Sequence, residues 1–474
     1  MERNLTNLKA LLKPFVILLG LTGLLGTCPL DAVADELDLL SKIISTQNSL
    51  ELKQSLAEGS YRGEAGILRV KPDVASSLGL SVYMDQDYLD SAKLFKEAEA
   101  SLERAQEELA STEKESFLEE HVHRAASFFL AYKHSSQEAE EKLEAYRLRI
   151  SPKNDERLNE KICFSLMKRL LNEALEKAGY NLRDTLGYFY NACRGADKDT
   201  PFLTTENVKF VNKVFYQFTR LCPKEALKRF DLGTQEDFYH GKDPAMWKEI
   251  IAETEFPYLS LLETTLKKHN NGKHRVDPLL FVALMRKESN FHPHAISSVG
   301  AAGLTQIMPR TALGLGMKNI FIPPYLSKAG LMLEKQRKTK EQALNVLFQI
   351  NENNKLEKAR LARSLMQKSL KFSKKKDRLF GRYRKELLLS NTDDRLKPEL
   401  AIEYGFKYFQ QLMRAQKGDI TLALASYNAG PHRVRRFNGV PPFDETVNFR
   451  NQVLRFYKAY LDKLKGARQV SKGP

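Results

Sequence analysis

The sequence predicts an all-α protein: an N-terminal helical domain, then a second helical domain that carries a basic helical insertion. Two observations lead there. Apolar residues recur at spacings of three and four through nearly every segment after Tyr88, and no segment of any length shows the strict alternation of a half-buried strand. The chain has 474 residues, of which 42% are hydrophobic and 28% charged, the balance of an ordinary globular protein large enough for roughly two to four domains.

The first 34 residues stand apart. Arg3, Lys9 and Lys13 make a basic start, residues 15–26 form an apolar run short for a membrane span, and Ala32-Val33-Ala34 offers a small-residue cleavage site. Together these read as a secretory signal, with export to the periplasm or cell envelope as the expected location. An uncut membrane anchor and a lipid on Cys28 are the alternatives, the latter disfavoured by the bulk of Thr27 before the cysteine. Removal of Cys28 with the signal leaves Cys163, Cys193 and Cys222, an odd number, so at least one is free or pairs between chains. Each sits among apolar neighbours in a helical pattern, as buried cysteines do. No CxxC or Cys/His spacing suggests a metal site.

Residues 35–245 form the expected N-terminal domain. Gly59, Gly63, Gly66 and Pro72 break its beginning into short pieces, and the helical pattern is clear from about residue 80. Phe95, Ala98, Leu102, Ala105 and Leu109 make a short heptad seam, which predicts a helical hairpin rather than a long coiled coil. Further helical patterns cover residues 125–146, 158–178, 186–193 and 208–221, with no clean repeat at a fixed period.

Residues 246–474 form the second expected domain, interrupted at about 317–391 by a stretch where basic residues outnumber acidic ones by about 13. Much of the chain's formal net charge of +16 is concentrated there. Such a charge favours an acidic partner. Export argues against nucleic acid and leaves an anionic wall polymer or a lipid surface. The insertion and the N-terminal helices are the places for a membrane or envelope-complex contact, with a merely solvated helical insertion as the alternative.

The chemistry is concentrated in three segments. Val276-Asp277-Pro278 opens a helix with a capping side chain and a proline at the first turn. Leu280 and Leu284 then place Glu288 on the apolar face near the helix end. A carboxyl there loses hydration, its neutral form is favoured, and it suits the role of general acid; a structural ion pair with Arg or Lys is the other reading of the same position. Gly300-Ala301-Ala302-Gly303 comes next as a tight-turn segment, with Ser297 before it and Gln306 and Met308 after it. Gln306 can donate to and accept from sugar hydroxyls or amides. Asp419 caps a short helix that carries Tyr427 and Asn428 in its last turn and stops at Gly430-Pro431.

In order, Glu288-Ser289-x-Phe291, Ala295-x-Ser297-x-x-Gly300-Ala301-x-Gly303-Leu304-x-Gln306-x-Met308-Pro309, Tyr427-Asn428-Ala429-Gly430 and Glu445-Thr446 resemble the soluble lytic transglycosylase (SLT) family, relatives of goose-type lysozyme. The resemblance covers residues 270–316 and 394–460. It implies a lysozyme-like α-helical catalytic domain acting on peptidoglycan glycan strands, with Glu288 catalytic. Ser297, Gln306, Met308, Tyr427 and Asn428 would bind the sugar, Ser289 and Glu445 would support the site, and no metal or cofactor is implied. The implied reaction breaks the β-1,4 bond between N-acetylmuramic acid and N-acetylglucosamine and closes a 1,6-anhydro ring. The sequence departs from the family at the basic insertion, at Ser426 where Ala is common and at Phe449 where Tyr is common. Lysozyme-type hydrolysis, with Asp444 or Glu445 as the second carboxylate, and a wall-binding scaffold without activity are the rival functions.

Overall fold

A computed structural model describes residues 32–111, 118–196, 204–232, 244–252, 256–390 and 392–471. The proposed export segment lies outside them apart from Ala32-Val33-Ala34, which open the first helix. The described chain is helical, with only isolated β-bridges in its turns. In order, the helices are α1 (Ala32–Ala57), α2 (Pro72–Ser77), α3 (Gln86–Ala110), α4 (Leu118–Arg149), α5 (Glu160–Lys177), α6 (Leu182–Arg194), α7 (Thr205–Leu221), α8 (Lys224–Leu227), α9 (Pro244–Ala252) and α10 (Leu259–His269). They continue with α11 (Pro278–Ser289), α12 (Pro309–Leu315), α13 (Tyr325–Leu347), α14 (Lys355–Ser390), α15 (Pro398–Ala415), α16 (Ile420–Ala429), α17 (Pro431–Arg436) and α18 (Asp444–Ser471). Among the described residues no helix is long and apolar enough to cross a membrane.

Two cores organise the chain. One gathers α1, α5, α6 and α7 and takes in Ala425, Val434, Val440 and Val447 from the far end of the sequence. The other surrounds α11 with α9, α10, α15, α16 and α18. The heptad seam forms the hairpin α3–α4, with Phe95, Ala98, Ala105 and Leu109 buried. The basic insertion forms a second hairpin, α13–α14, and the two hairpins share a core that includes Leu109, Phe129, Leu347 and Met366. This packing leaves most of the insertion's cations on solvated faces while the apolar stripes meet. Cys163, Cys193 and Cys222 are buried and free.

The broken stretch before residue 80 belongs to a repeat that spans half the chain. Arg157 is fully buried; its guanidinium bonds Asp155 at 2.9 and 2.6 Å, the carbonyls of Gly63 and Val70 at 2.9 and 3.1 Å, and the Tyr146 hydroxyl. Arg395 does the same with Asp393, Gly300, Ile307 and Tyr383, at 2.7–3.1 Å. Ala65 bridges Val70 and Ala302 bridges Ile307, both antiparallel. Gly66 and Gly303 have φ +68 and +80, and a Cβ on either would lie 1.7 Å from the carbonyl oxygen of Arg157 or Arg395, so only glycine fits. Asn181 caps α6 as Asp419 caps α16. The helical hairpins occupy corresponding places as well. The fold is therefore one unit used twice, with α1–α7 echoing α11–α18. The repeat escaped the sequence because the matching positions are few, scattered, and separated by half the chain.

Candidate functional site

The site begins with α11. Asp277 accepts from Leu279 N at 2.8 Å, and every residue from Pro278 to Met285 is buried. The sequence suggested one apolar face; the whole cylinder is in fact enclosed, as a central helix requires. Glu288 emerges from the last turn half-buried. Burial pushes its pKa up to about 8, the nearby Lys287 charge opposes this, and the charge of Glu445 adds to it. The carboxyl is accordingly neutral at pH 7 and can deliver a proton.

The chain turns away sharply after the helix. Asn290 and Phe291 both take left-handed backbone angles, φ 48 and 65. A left-handed Phe is costly, and its ring is held by an edge contact with Phe256 at 5.1 Å. Ser289 is buried and donates to the carbonyl oxygens of Leu304, at 2.9 Å, and Met285. It thereby ties the end of the helix to the Gly-rich turn. Ser297 has its hydroxyl turned inward on its own loop, accepting from Ala301 N at 2.9 Å and Val299 N at 3.3 Å. Gln306, with φ 46, donates to the carbonyls of Ala295 and Gly303 at 2.8 and 2.9 Å. Its amide nitrogen is thus spent on the loop. Met308 is 42% exposed and available for apolar contact.

The α16 segment is tied to the same turn. Tyr427 donates to the carbonyl of Thr305 at 2.7 Å, stacks on Phe449 with centroids 6.5 Å apart, and carries a pKa raised well above the ordinary range by burial and by the Glu288 charge. Asn428 accepts from the Thr446 hydroxyl at 2.8 Å, which anchors the start of α18, and Glu445 is exposed beside it. Glu288 thus feels the charge of Glu445 and acts on Tyr427, while the polar groups of Ser289 and Ser297 hold the surrounding turn.

Several site-shaping contacts were not read from the sequence, where Phe449 stood out only as a departure from the family. The Thr305 carbonyl fixes Tyr427, and Phe449 provides its stacking partner. The Asp393–Arg395 pair clasps the turn from below at 2.8 Å. The repetition of Asp-x-Arg-Leu at Asp155 and Asp393 was the one pattern that could have pointed to that clasp.

An enclosed helix ending in a glutamic acid of raised pKa, followed by a Gly-rich turn to which a Tyr-Asn helix is hydrogen-bonded, forms an all-α site of the kind that can deliver a proton. Residues 266–337 and 362–446, about a third of the chain, match the model of the Transglycosylase SLT domain. A 53-residue stretch is 40% identical to a transglycosylase of Enterobacteria phage PRD1, covering 11% of this chain and 20% of the phage protein. Among solved structures, an inactive mutant of the lytic transglycosylase Slt from Pseudomonas aeruginosa aligns at 16% identity and TM-score 0.26, over 92% of this chain and 57% of that one. The 70 kDa soluble lytic transglycosylase of Escherichia coli aligns at 14% identity and TM-score 0.28, over 93% and 73%. The chain therefore spans about a fifth of the phage relative and little more than half of the Pseudomonas enzyme.

Proposed function

We propose that the chain is an exported peptidoglycan lytic transglycosylase, with residues 246–474 as its catalytic domain. The observation that carries the reading is Glu288, held neutral at the end of an enclosed helix within an SLT domain. Glu288 gives its proton to the oxygen joining N-acetylmuramic acid to N-acetylglucosamine, and the C1–O bond breaks. The ionised carboxylate then takes the proton of the same muramoyl sugar's primary hydroxyl as that oxygen bonds to C1. The glutamic acid is restored, no water is consumed, and one carboxyl serves both steps. Gln306, Met308, Tyr427 and Asn428 line the strand's path, and Ser289, Ser297 and Glu445 support it. Mass spectrometry of the soluble products from purified peptidoglycan tests the reading. Anhydro-ended muropeptides are expected; reducing ends would make the protein a hydrolase, and no release from folded protein would leave a wall-binding scaffold.

The pH profile provides a second check. An ordinary Glu would already be ionised at pH 7, whereas this one keeps its proton until about pH 8. The alkaline limb of kcat/KM should therefore lie near pH 8. Glu445→Gln removes a charge that raises the Glu288 pKa, so the limb should move toward lower pH. A limb that stays in place in the variant would show that Glu445 exerts no such influence.

A further inference from the structure

The repeat places a second cleft in the N-terminal half, and its residues differ from the catalytic ones in a telling way. Asn48 donates to the carbonyl of Ile67 at 2.9 Å, as Ser289 does to that of Leu304, so the residue before it, Gln47, takes the place of Glu288. Arg69, φ 52, sits where Gln306 sits, and Phe189 stacks on Phe210 at 6.4 Å as Tyr427 does on Phe449. Asn207, in the place of Thr446, bonds Asn191 at 3.1 Å, one residue beyond Tyr190, which takes the place of Asn428, and Glu206 precedes Asn207 as Glu445 precedes Thr446.

The acid is therefore gone but the cleft is not. Gln47 cannot donate a proton to a leaving group, and its amide is turned to Glu51 at 2.7 Å. Glu51 is in turn paired with Arg69 at 2.5 Å and Lys213 at 3.6 Å. This pairing is possible because α1 runs on to Ala57, where α11 stops one residue past Glu288. Two adjoining hollows of about 360 and 460 Å³ share Lys209 and Lys213. The larger has Gln47 in its wall and is closed by Arg436, Phe437 and Asn438 from the catalytic half. Tyr216 is 39% exposed in it. The smaller hollow also carries Glu51, Glu58 and Glu206, so the place for an anionic ligand is the larger one, whose half-exposed aromatic rings, amides and cations with no acid suit a polar polymer with apolar ring faces and carboxylates.

Resting on the function proposed above, we infer that the N-terminal half is a second copy of the catalytic fold whose cleft, with Gln47 in place of the acid, holds a carboxylate-bearing peptidoglycan strand without cutting it. The enzyme would thus grip the wall at one cleft and cut at the other.

The test uses the full chain with Glu288→Gln, so that binding is read without cleavage, and sediments it with purified peptidoglycan sacculi. Tyr216→Ala and the double variant Lys209→Ala/Lys213→Ala alter exposed side chains and should fold, which circular dichroism checks. Each should weaken binding roughly fivefold or more, the effect of a well-used contact residue. Unchanged binding in both overturns the inference. So does a loss confined to the lysine variant, which would mean a diffuse charge attraction with no sugar seated on the aromatic ring. Product release by the unmodified chain is scored separately, so a failure of the second cleft cannot be confused with a failure of the proposed activity.

Discussion

Glu288→Gln is expected to lower the rate of glycan cleavage by about a thousandfold or more, since one group acts as both acid and base and each role alone is commonly worth two to four orders of magnitude. Gln preserves shape and hydrogen-bonding capacity but cannot lose or gain the proton. The same substitution has an opposite effect on stability, which separates chemistry from folding. The folded-state pKa of Glu288 lies at about 8, far above the ordinary 4.5, so the folded protein holds this proton more tightly than the unfolded chain does. Its favourable contribution is complete below about pH 4.5 and is lost as pH rises to about 8. Glu288→Gln removes that loss, so the variant should match the native protein near pH 4 and exceed it at pH 8.5 by ~2 kcal/mol, allowing for partial screening by solvent. Urea unfolding at the two pH values measures it. A stability difference independent of pH would mean that the carboxyl is not desolvated, and the physical basis for its role as acid would go with it.

How much the sequence disclosed depends on how local each signal is. The α11 start, the α16 cap and the α3–α4 seam are written in contiguous residues, so helical period and capping chemistry located them. Glu288 was legible as a carboxyl on an apolar helix, but the complete enclosure of that helix was not, because the residues that cover the other side of α11 come from α18, α9 and α15. Gln306 read as a sugar ligand from its donor and acceptor groups and from the family resemblance, Ser297 from the resemblance alone. Their hydroxyl and amide nitrogen turn out to stabilise the backbone of a loop with left-handed residues, a use of polar groups that only three-dimensional geometry reveals. The basic insertion read as a surface for partners, and its apolar stripe is already occupied by the N-terminal hairpin. The repeat is the extreme case: the halves share a network around Arg157 and Arg395, visible in contacts and nearly invisible in residue pattern.

That network sets the second large effect. Arg395→Met should destabilise the protein by about 3–5 kcal/mol, because it leaves the Asp393 carboxylate buried without its cation and the carbonyls of Gly300 and Ile307 without their donor. Arg157→Met should cost about the same in the other half, where Asp155, Gly63 and Val70 lose the same partner. The two variants differ in their effect on activity. The carbonyls freed by Arg395→Met bracket the turn that presents Gln306 and includes the Thr305 carbonyl, the anchor of Tyr427, so activity should fall along with stability even at temperatures where the variant is folded. Arg157→Met loosens the turn that presents Arg69 and should leave the rate of cleavage per folded molecule near the native value while weakening attachment to the wall. Urea unfolding gives the stability cost, and initial rates at a temperature well below the midpoint give the activity. Equal losses of rate in the two variants would mean that the halves do not divide the work of cutting and holding, and that the repeat is only a way of building one large core.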